Sequence, residues 1–347
     1  MSQSVIFAYP GHLETKTGGY GYDRRVIEGL KSLGWDVTLL GLGDGFPFPS
    51  DAMLRQAEAS LSTVPDGTRV IIDGLAFGVL DTWAEREGER LRILALVHHP
   101  LALETGNSEA QQHSFHDREK RALAHAAHVI VTSQTTADTL IEDYAVDRAK
   151  IDVAVPGTDR GARPEPRNSV PMILSVGTLT RRKGHDVLIA ALKRLENLSW
   201  NAVIVGSPVH DRDTAQSLAA QIRELGLSDR VRLAGEQSEL GGFLRSADIF
   251  ALASRYEGYG MVFAEALAYR LPIVACRAGA IPEVVPAEAG ILVPVDDVDA
   301  FADALGSFLT DEALRLKYAD GAYKAGSRLP GWDVPAGIFN DRLRKLA

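Results

Sequence analysis

Between the apolar runs DIFALA and FAEALAYRLPIVA lies SRYEGYGMVFAE, residues 254–265, and no other stretch restricts the chain as much. A strand-length apolar run, a short polar loop and an apolar helix start form the repeating unit of a doubly wound α/β sheet, where ligands sit beyond the strand ends. Glu257 stands in the loop, and Glu265 follows after seven intervening residues, about one turn into a helix predicted to begin near Met261. Gly258 and Gly260 remove side chains from the backbone between them. The unpaired N–H groups and partial positive charge of the helix start, at Met261 and Val262, make a seat for a phosphate or diphosphate. Carboxylates accept hydrogen bonds from sugar hydroxyls, so the pattern predicts a pocket for a nucleoside diphosphate sugar, with one glutamate for the ribose and one for the sugar.

This spacing resembles the signature of the retaining GT-B glycosyltransferases of family 4, the glycosyl transferases group 1. PMILSVGTLTRRKGHDVLIAAL is similar to the family's strand, Gly-rich loop, Arg-Lys pair and helix, and VRLAGEQSELGGFLRSADIFALAS to the segment that feeds the glutamate loop; AGAIPEVV stands in register after it. The resemblance implies an α/β GT-B fold, with two Rossmann-like doubly wound domains facing across a cleft and a C-terminal helix crossing back to the first. It implies domains at 1–163 (with a helix at about 333–347) and 169–330, the second binding the donor. The implied donor-binding residues are Gly19, Gly177, Arg182, Lys183, Gly206, Glu257, Gly258, Gly260, Met261, Val262 and Glu265, and the implied catalytic set is His98, Glu257, Arg182 and Lys183. Many family members carry an arginine directly after the first glycine of VGTLTRRKG, where this chain has Thr178.

A length of 347 residues accommodates two ordinary domains. No apolar run reaches membrane-spanning length, and MSQSVIFAYPGH lacks the basic segment and long apolar stretch of a secretory signal. The single cysteine, Cys276, rules out an intrachain disulfide and fits a reducing compartment, so the expected location is cytoplasmic. A formal net charge of −9 argues against a nucleic-acid partner and against broad attraction to anionic lipid.

In chain order, VIFAYP and the segment after it predict a strand, a loop, an amphipathic helix and a second strand, with Gly18, Gly19 and Gly21 just before the helix. Those glycines let backbone approach an anion; strict GxGxxG is absent, so a dinucleotide fingerprint is not supported. RVIIDGLAF and RILALVHHP read as buried parallel strands with ends toward a ligand. By the resemblance, a histidine at such a strand end lies near the donor sugar and the acceptor; His98 is favoured over His99 because it directly follows the apolar run. His113, His116, His125 and His128 mix loop and helix positions and read as solvated or capping residues. GARPEPRNS, residues 161–169, is the natural linker and hinge, with a second hinge near Leu329–Pro335.

Arg182 and Lys183 precede a helix, where two cations can neutralise a departing diphosphate. Asp211-Arg212-Asp213 and Asp297-Val298-Asp299 imitate a DxD metal motif, but Asp297 sits at a helix start, and neither is read as a metal site. The expected activity needs no metal or cofactor, and the resemblance implies a retaining transfer from a UDP- or GDP-sugar to a saccharide or lipid-linked acceptor, with at most loose peripheral contact with membrane. Another GT-B activity, such as a nucleotide-sugar epimerase, and a non-catalytic nucleotide-sugar-binding protein are the alternatives.

Overall fold

The computed structural model describes residues 3–161 and 168–346. The chain divides into two compact units, Met1–Gly157 with Pro330–Ala347, and Thr158–Leu329. The linker expected at 161–169 lies mostly outside the described residues.

The first unit is built on β1 (Ser4–Tyr9), β2 (Asp36–Gly41), β3 (Arg69–Asp73), β4 (Arg92–Val97), β5 (His128–Val131) and β6 (Ile151–Val153). These pair in parallel in the order β2-β1-β3-β4-β5-β6. RVIID and RILALV are near-continuous apolar runs because both faces of the central strands are covered, with Ile71, Ile72, Leu94 and Ala95 at 0% exposure. The helix Gly18–Ser32 buries Tyr22, Asp23, Val26, Ile27 and Leu30, a stripe with helical periodicity. It begins earlier than the sequence suggested: Thr17 Oγ1 accepts from Tyr20 N as the N-cap, so Gly18, Gly19 and Gly21 lie inside the first turns rather than before them.

The helix Asp333–Lys345 belongs to this unit. It lies on Gly18–Ser32, where a Cβ at Gly29 would come within 2.5 Å of Ala336 Cβ. Trp35 Nε1 donates to Asn340 Oδ1 at 3.1 Å, Arg69 Nε to Leu343 O at 2.9 Å, and Arg342 Nε to Asp152 Oδ2 at 2.8 Å. Its own Phe339 and Leu343 are fully buried.

The second unit holds β7 (Met172–Val176), β8 (Asn201–Val205), β9 (Val231–Gly235), β10 (Ile249–Leu252), β11 (Ile273–Cys276) and β12 (Gly290–Val293). They are parallel, in the order β12-β11-β10-β7-β8-β9. Strand order reverses between β7 and β10 here, and between β1 and β3 in the first unit. Such switch points leave a crevice beyond the carboxyl ends of the strands. Among the described residues no helix is long and apolar enough to cross a membrane.

Candidate donor and transfer site

Two loops leave the second unit's switch point side by side: residues 177–184 after β7, and 253–260 after β10. Gly206, at the end of β8, has no room for a side chain, since a Cβ there would stand 1.8 Å from Gly177 O. That backbone contact fixes the first loop. His185 fixes it from below: its Nε2 lies 3.2 Å from Gly177 O and its Nδ1 3.4 Å from Ser175 Oγ. Burial lowers the His185 pKa to about 4, so the ring is neutral, and an Nε2–H tautomer donates to Gly177 O while Nδ1 accepts from Ser175.

The loop carries Arg182 and Lys183 onto Glu257. Lys183 Nζ lies 2.6 Å from Glu257 Oε1 and Arg182 Nη1 3.3 Å from Oε2, while Ser254 Oγ donates to Oε1 at 2.6 Å. Burial alone would raise the Glu257 pKa, yet the charges of Lys183 and then Arg182, with hydrogen bonds from Lys183 and Ser254, hold it at about 2. Arg255 staples the second loop, with Nη2 2.7 Å from both Asp186 Oδ2 and Asp296 Oδ1. Gly258 and Gly260 are buried, and Gly260, at φ +93°, is the N-cap from which Met261–Ala268 starts. No side chain covers this helix start from the cap position, and Met261 and Val262 are half-buried there. Glu265 follows on the same helix, half-buried, its pKa raised to about 7 by burial and then by the charge of Asp159.

Gly19 and His98 belong to the first unit. A Cβ at Gly19 would lie 3.4 Å from His98 Cδ2, so helix backbone rests directly on the imidazole. His98 follows β4 and turns its Nε2 toward Asp23 Oδ1, at 3.1 Å, and Asp73 Oδ2, at 3.5 Å. His99 faces Glu104 instead, at 3.3 Å. The sequence reading missed Asp23, Asp73, Ser254 and His185. Asp23 carried a signal, because it shares the buried face of its helix with Tyr22, Val26 and Ile27.

The remaining histidines disperse. His128 opens β5 and bonds Asp152 at 3.1 Å, His116 reaches Asp143 O at 3.2 Å, and His125 is a helix C-cap. Asp211 and Asp297 each cap a helix, accepting from Thr214 N and Ala300 N at 2.9 Å.

Paired parallel sheets, each with a loop site at its switch point, define the α/β class that contains the GT-B enzymes. Two family models match in succession, Glycosyltransferase Family 4 over residues 24–161 and Glycosyl transferases group 1 over 161–325. The chain belongs to the family 4 glycosyltransferases. It is 31% identical over 243 residues to the D-inositol 3-phosphate glycosyltransferase of Xylanimonas cellulosilytica, covering 64% of this chain and 58% of that protein. It is 32% identical over 179 residues to the lipopolysaccharide core biosynthesis glycosyltransferase LpsE of Rhizobium meliloti, covering 51% and 46%. The matched segments thus span about half to three fifths of the first curated relatives' length. Sucrose-phosphate synthase of Thermosynechococcus elongatus superposes with a TM-score of 0.83 at 22% identity, over 98% of both chains. HepE of Anabaena, solved with UDP and glucose, gives 0.77 at 18% identity, over 98% of this chain and 99% of its own. At these identities the superpositions establish the fold, GT-B.

Proposed function

We propose that this chain is a retaining, metal-independent glycosyltransferase that moves a sugar from a nucleoside diphosphate sugar, with UDP or GDP as carrier, to a saccharide or lipid-linked saccharide. The observation that carries the reading is the Lys183–Glu257–Arg182 cluster beside the start of Met261–Ala268. A diphosphate leaving group gathers negative charge as the anomeric bond breaks, and cations plus helix N–H groups already in place stabilise it without reorganisation. Glu257, kept ionised by those cations, accepts from sugar hydroxyls, and Glu265 from the ribose; His98 serves the transferring sugar. In the family, the leaving phosphate is thought to help deprotonate the acceptor, so no separate base is required. The name of one relative, a lipopolysaccharide core biosynthesis glycosyltransferase, supports the acceptor class. We assign the protein to the cytoplasm, with loose, salt-sensitive contact with membrane at most.

A panel of UDP-glucose, GDP-mannose and ADP-glucose tests this. The correct donor raises the melting temperature by mass action and releases nucleotide slowly by hydrolysis, with or without chelator. Binding without release, with or without a saccharide acceptor, would mark a binding protein; activity abolished by chelation and restored by Mn²⁺ would overturn metal independence.

A further inference from the structure

The cluster around His98 contains more carboxylate than its cations explain. Asp23 is fully buried on the apolar face of Gly18–Ser32, and Asp73 is 3% exposed at the end of β3, where its Oδ1 also accepts from Leu75 N at 2.7 Å. Among the described residues their ion partner is His98 alone. Arg24, next to Asp23 in sequence, turns away to the carbonyls of Leu13 and Thr15. Asp23 Oδ2 is buried with no hydrogen-bond donor in reach. A buried charged oxygen left without a donor is costly, and two neighbouring carboxylates resist simultaneous ionisation. A positive charge on the ring between them offsets the second of these costs.

Among the described residues, the other groups in contact with it add no positive charge. Tyr22 sets its ring edge against the imidazole, with centroids 5.4 Å apart, and spends its hydroxyl on Ala154 O. Tyr20 donates to Pro10 O, and its phenol is pushed up by burial and then by Asp73, Asp23 and Asp44, so it stays neutral. Thr132 Oγ1 donates to His98 O from the neighbouring strand end, and His99 is engaged with Glu104. Nδ1 of His98 has no hydrogen-bond partner among the described residues.

We propose that Asp23 and Asp73 are positioning residues that lock His98 as an imidazolium, Nε2–H shared between the two carboxylates, so that Nδ1–H is offered as a permanent hydrogen-bond donor to the substrate. The role of that donor rests on the glycosyl-transfer reading, whereas the locked protonation does not. Burial works against the charged ring, and the charges and hydrogen bonds of Asp23 and Asp73 reverse that and raise its pKa; Asp23 is raised by burial and by Asp73. No proton leaves the cluster during turnover. His98 acts by hydrogen bonding, and Asp23 acts through His98.

The same three side chains bring ligand atoms within 4.8 Å of one another, a spacing that also suits a divalent cation. The test therefore separates protons from metal. Nitrogen NMR of the full chain with isotope-labelled histidine, His98 assigned by its loss in His98→Gln, is followed from acid to alkaline pH after exhaustive chelation. The expected result is a ring protonated on both nitrogens well above the ordinary histidine value of about 6.5. In Asp23→Asn the His98 midpoint falls by at least about one unit, a tenfold change in proton affinity. Asp73→Asn, which keeps an oxygen for Leu75 N, gives the same direction if Asp23→Asn does not fold. A wild-type His98 that titrates at the ordinary histidine value of about 6.5 would overturn the proposal. So would stoichiometric Zn²⁺ binding that displaces the Nε2 proton at micromolar metal. Neither readout needs a donor, so failure of every nucleotide sugar to turn over would refute the proposed function and leave this result standing.

Discussion

Replacing Glu257 by glutamine keeps its shape and removes its charge, so the change isolates the electrostatics of the Lys183–Glu257–Arg182 cluster. The carboxyl is held at about 2 against an ordinary 4.5, and it is 5% exposed, so solvent screens it little. At about 1.4 kcal/mol per unit, the ionised form contributes on the order of 3 kcal/mol to the folded state. Loss of one partner from a buried ion pair costs about 3–5 kcal/mol, the same order by an independent route. Because the folded pKa is depressed, this stability is fully present above 4.5 and disappears as pH falls toward 2. Urea unfolding of wild type and Glu257→Gln at neutral pH should differ by about that amount, and the gap should narrow on acidification below the ordinary carboxylate value. Under the proposed function, ligand binding should divide the roles: the free nucleoside diphosphate binds the variant at least as well, since a carboxylate no longer competes for Lys183 and Arg182, whereas any preference for the sugar nucleotide found by the donor panel over that free diphosphate disappears. A gap that is absent at neutral pH, or unchanged on acidification, would refute the assignment of the depressed pKa to those two cations.

Under the proposed function, Glu265→Ala should weaken the donor and its free nucleoside diphosphate alike, by about 1.5–3 kcal/mol in calorimetry carried out well above the carboxyl's raised value of about 7, where its hydrogen bonds to the ribose are charge-assisted; unchanged affinity for the free diphosphate would refute the ribose role. Glu119, buried with its pKa raised to about 8 by desolvation although Leu101 N donates to it at 2.9 Å, should make the wild type lose stability as pH rises from the ordinary 4.5 toward 8. Glu119→Gln retains an acceptor for that N–H and should remove a loss of up to roughly 4 kcal/mol, read as melting temperature against pH; parallel curves would contradict it. Gly279→Ala puts a Cβ 2.3 Å from Glu257 O at φ +51°, so melting temperature and nucleotide binding should fall together, and loss of neither would mean that this turn does not position Glu257.

Much of this was legible in the sequence for definite reasons. Strands buried on both faces write themselves as apolar runs, as RVIID and RILALV do, and a glycine-bearing loop between an apolar strand and an apolar helix announces a switch-point site. The phase of Tyr22, Asp23, Val26 and Ile27 already placed a carboxylate in the core, a pattern overshadowed by its polar neighbours Arg24 and Arg25. Other contacts were not legible, because they depend on which strands lie side by side. Gly206 meets Gly177 only because β8 pairs with β7, and Asp73 meets His98 only because β3 pairs with β4. Ser254 reaches Glu257 through a loop shape set by Gly279, far along the chain.

The helix Asp333–Lys345 gives the molecule an order of assembly. The unit formed by Thr158–Leu329 is one continuous segment, complete when that stretch has been synthesised. The other unit is interrupted, and the surface of Gly18–Ser32 that receives Ala336 and Phe339 must wait, uncovered, while the whole intervening unit is made. On the ribosome, the half begun first is therefore the half finished last. A nascent chain stalled before Asp333 would carry one finished unit and one whose apolar helix face is still uncovered, the species on which a chaperone would be expected to act.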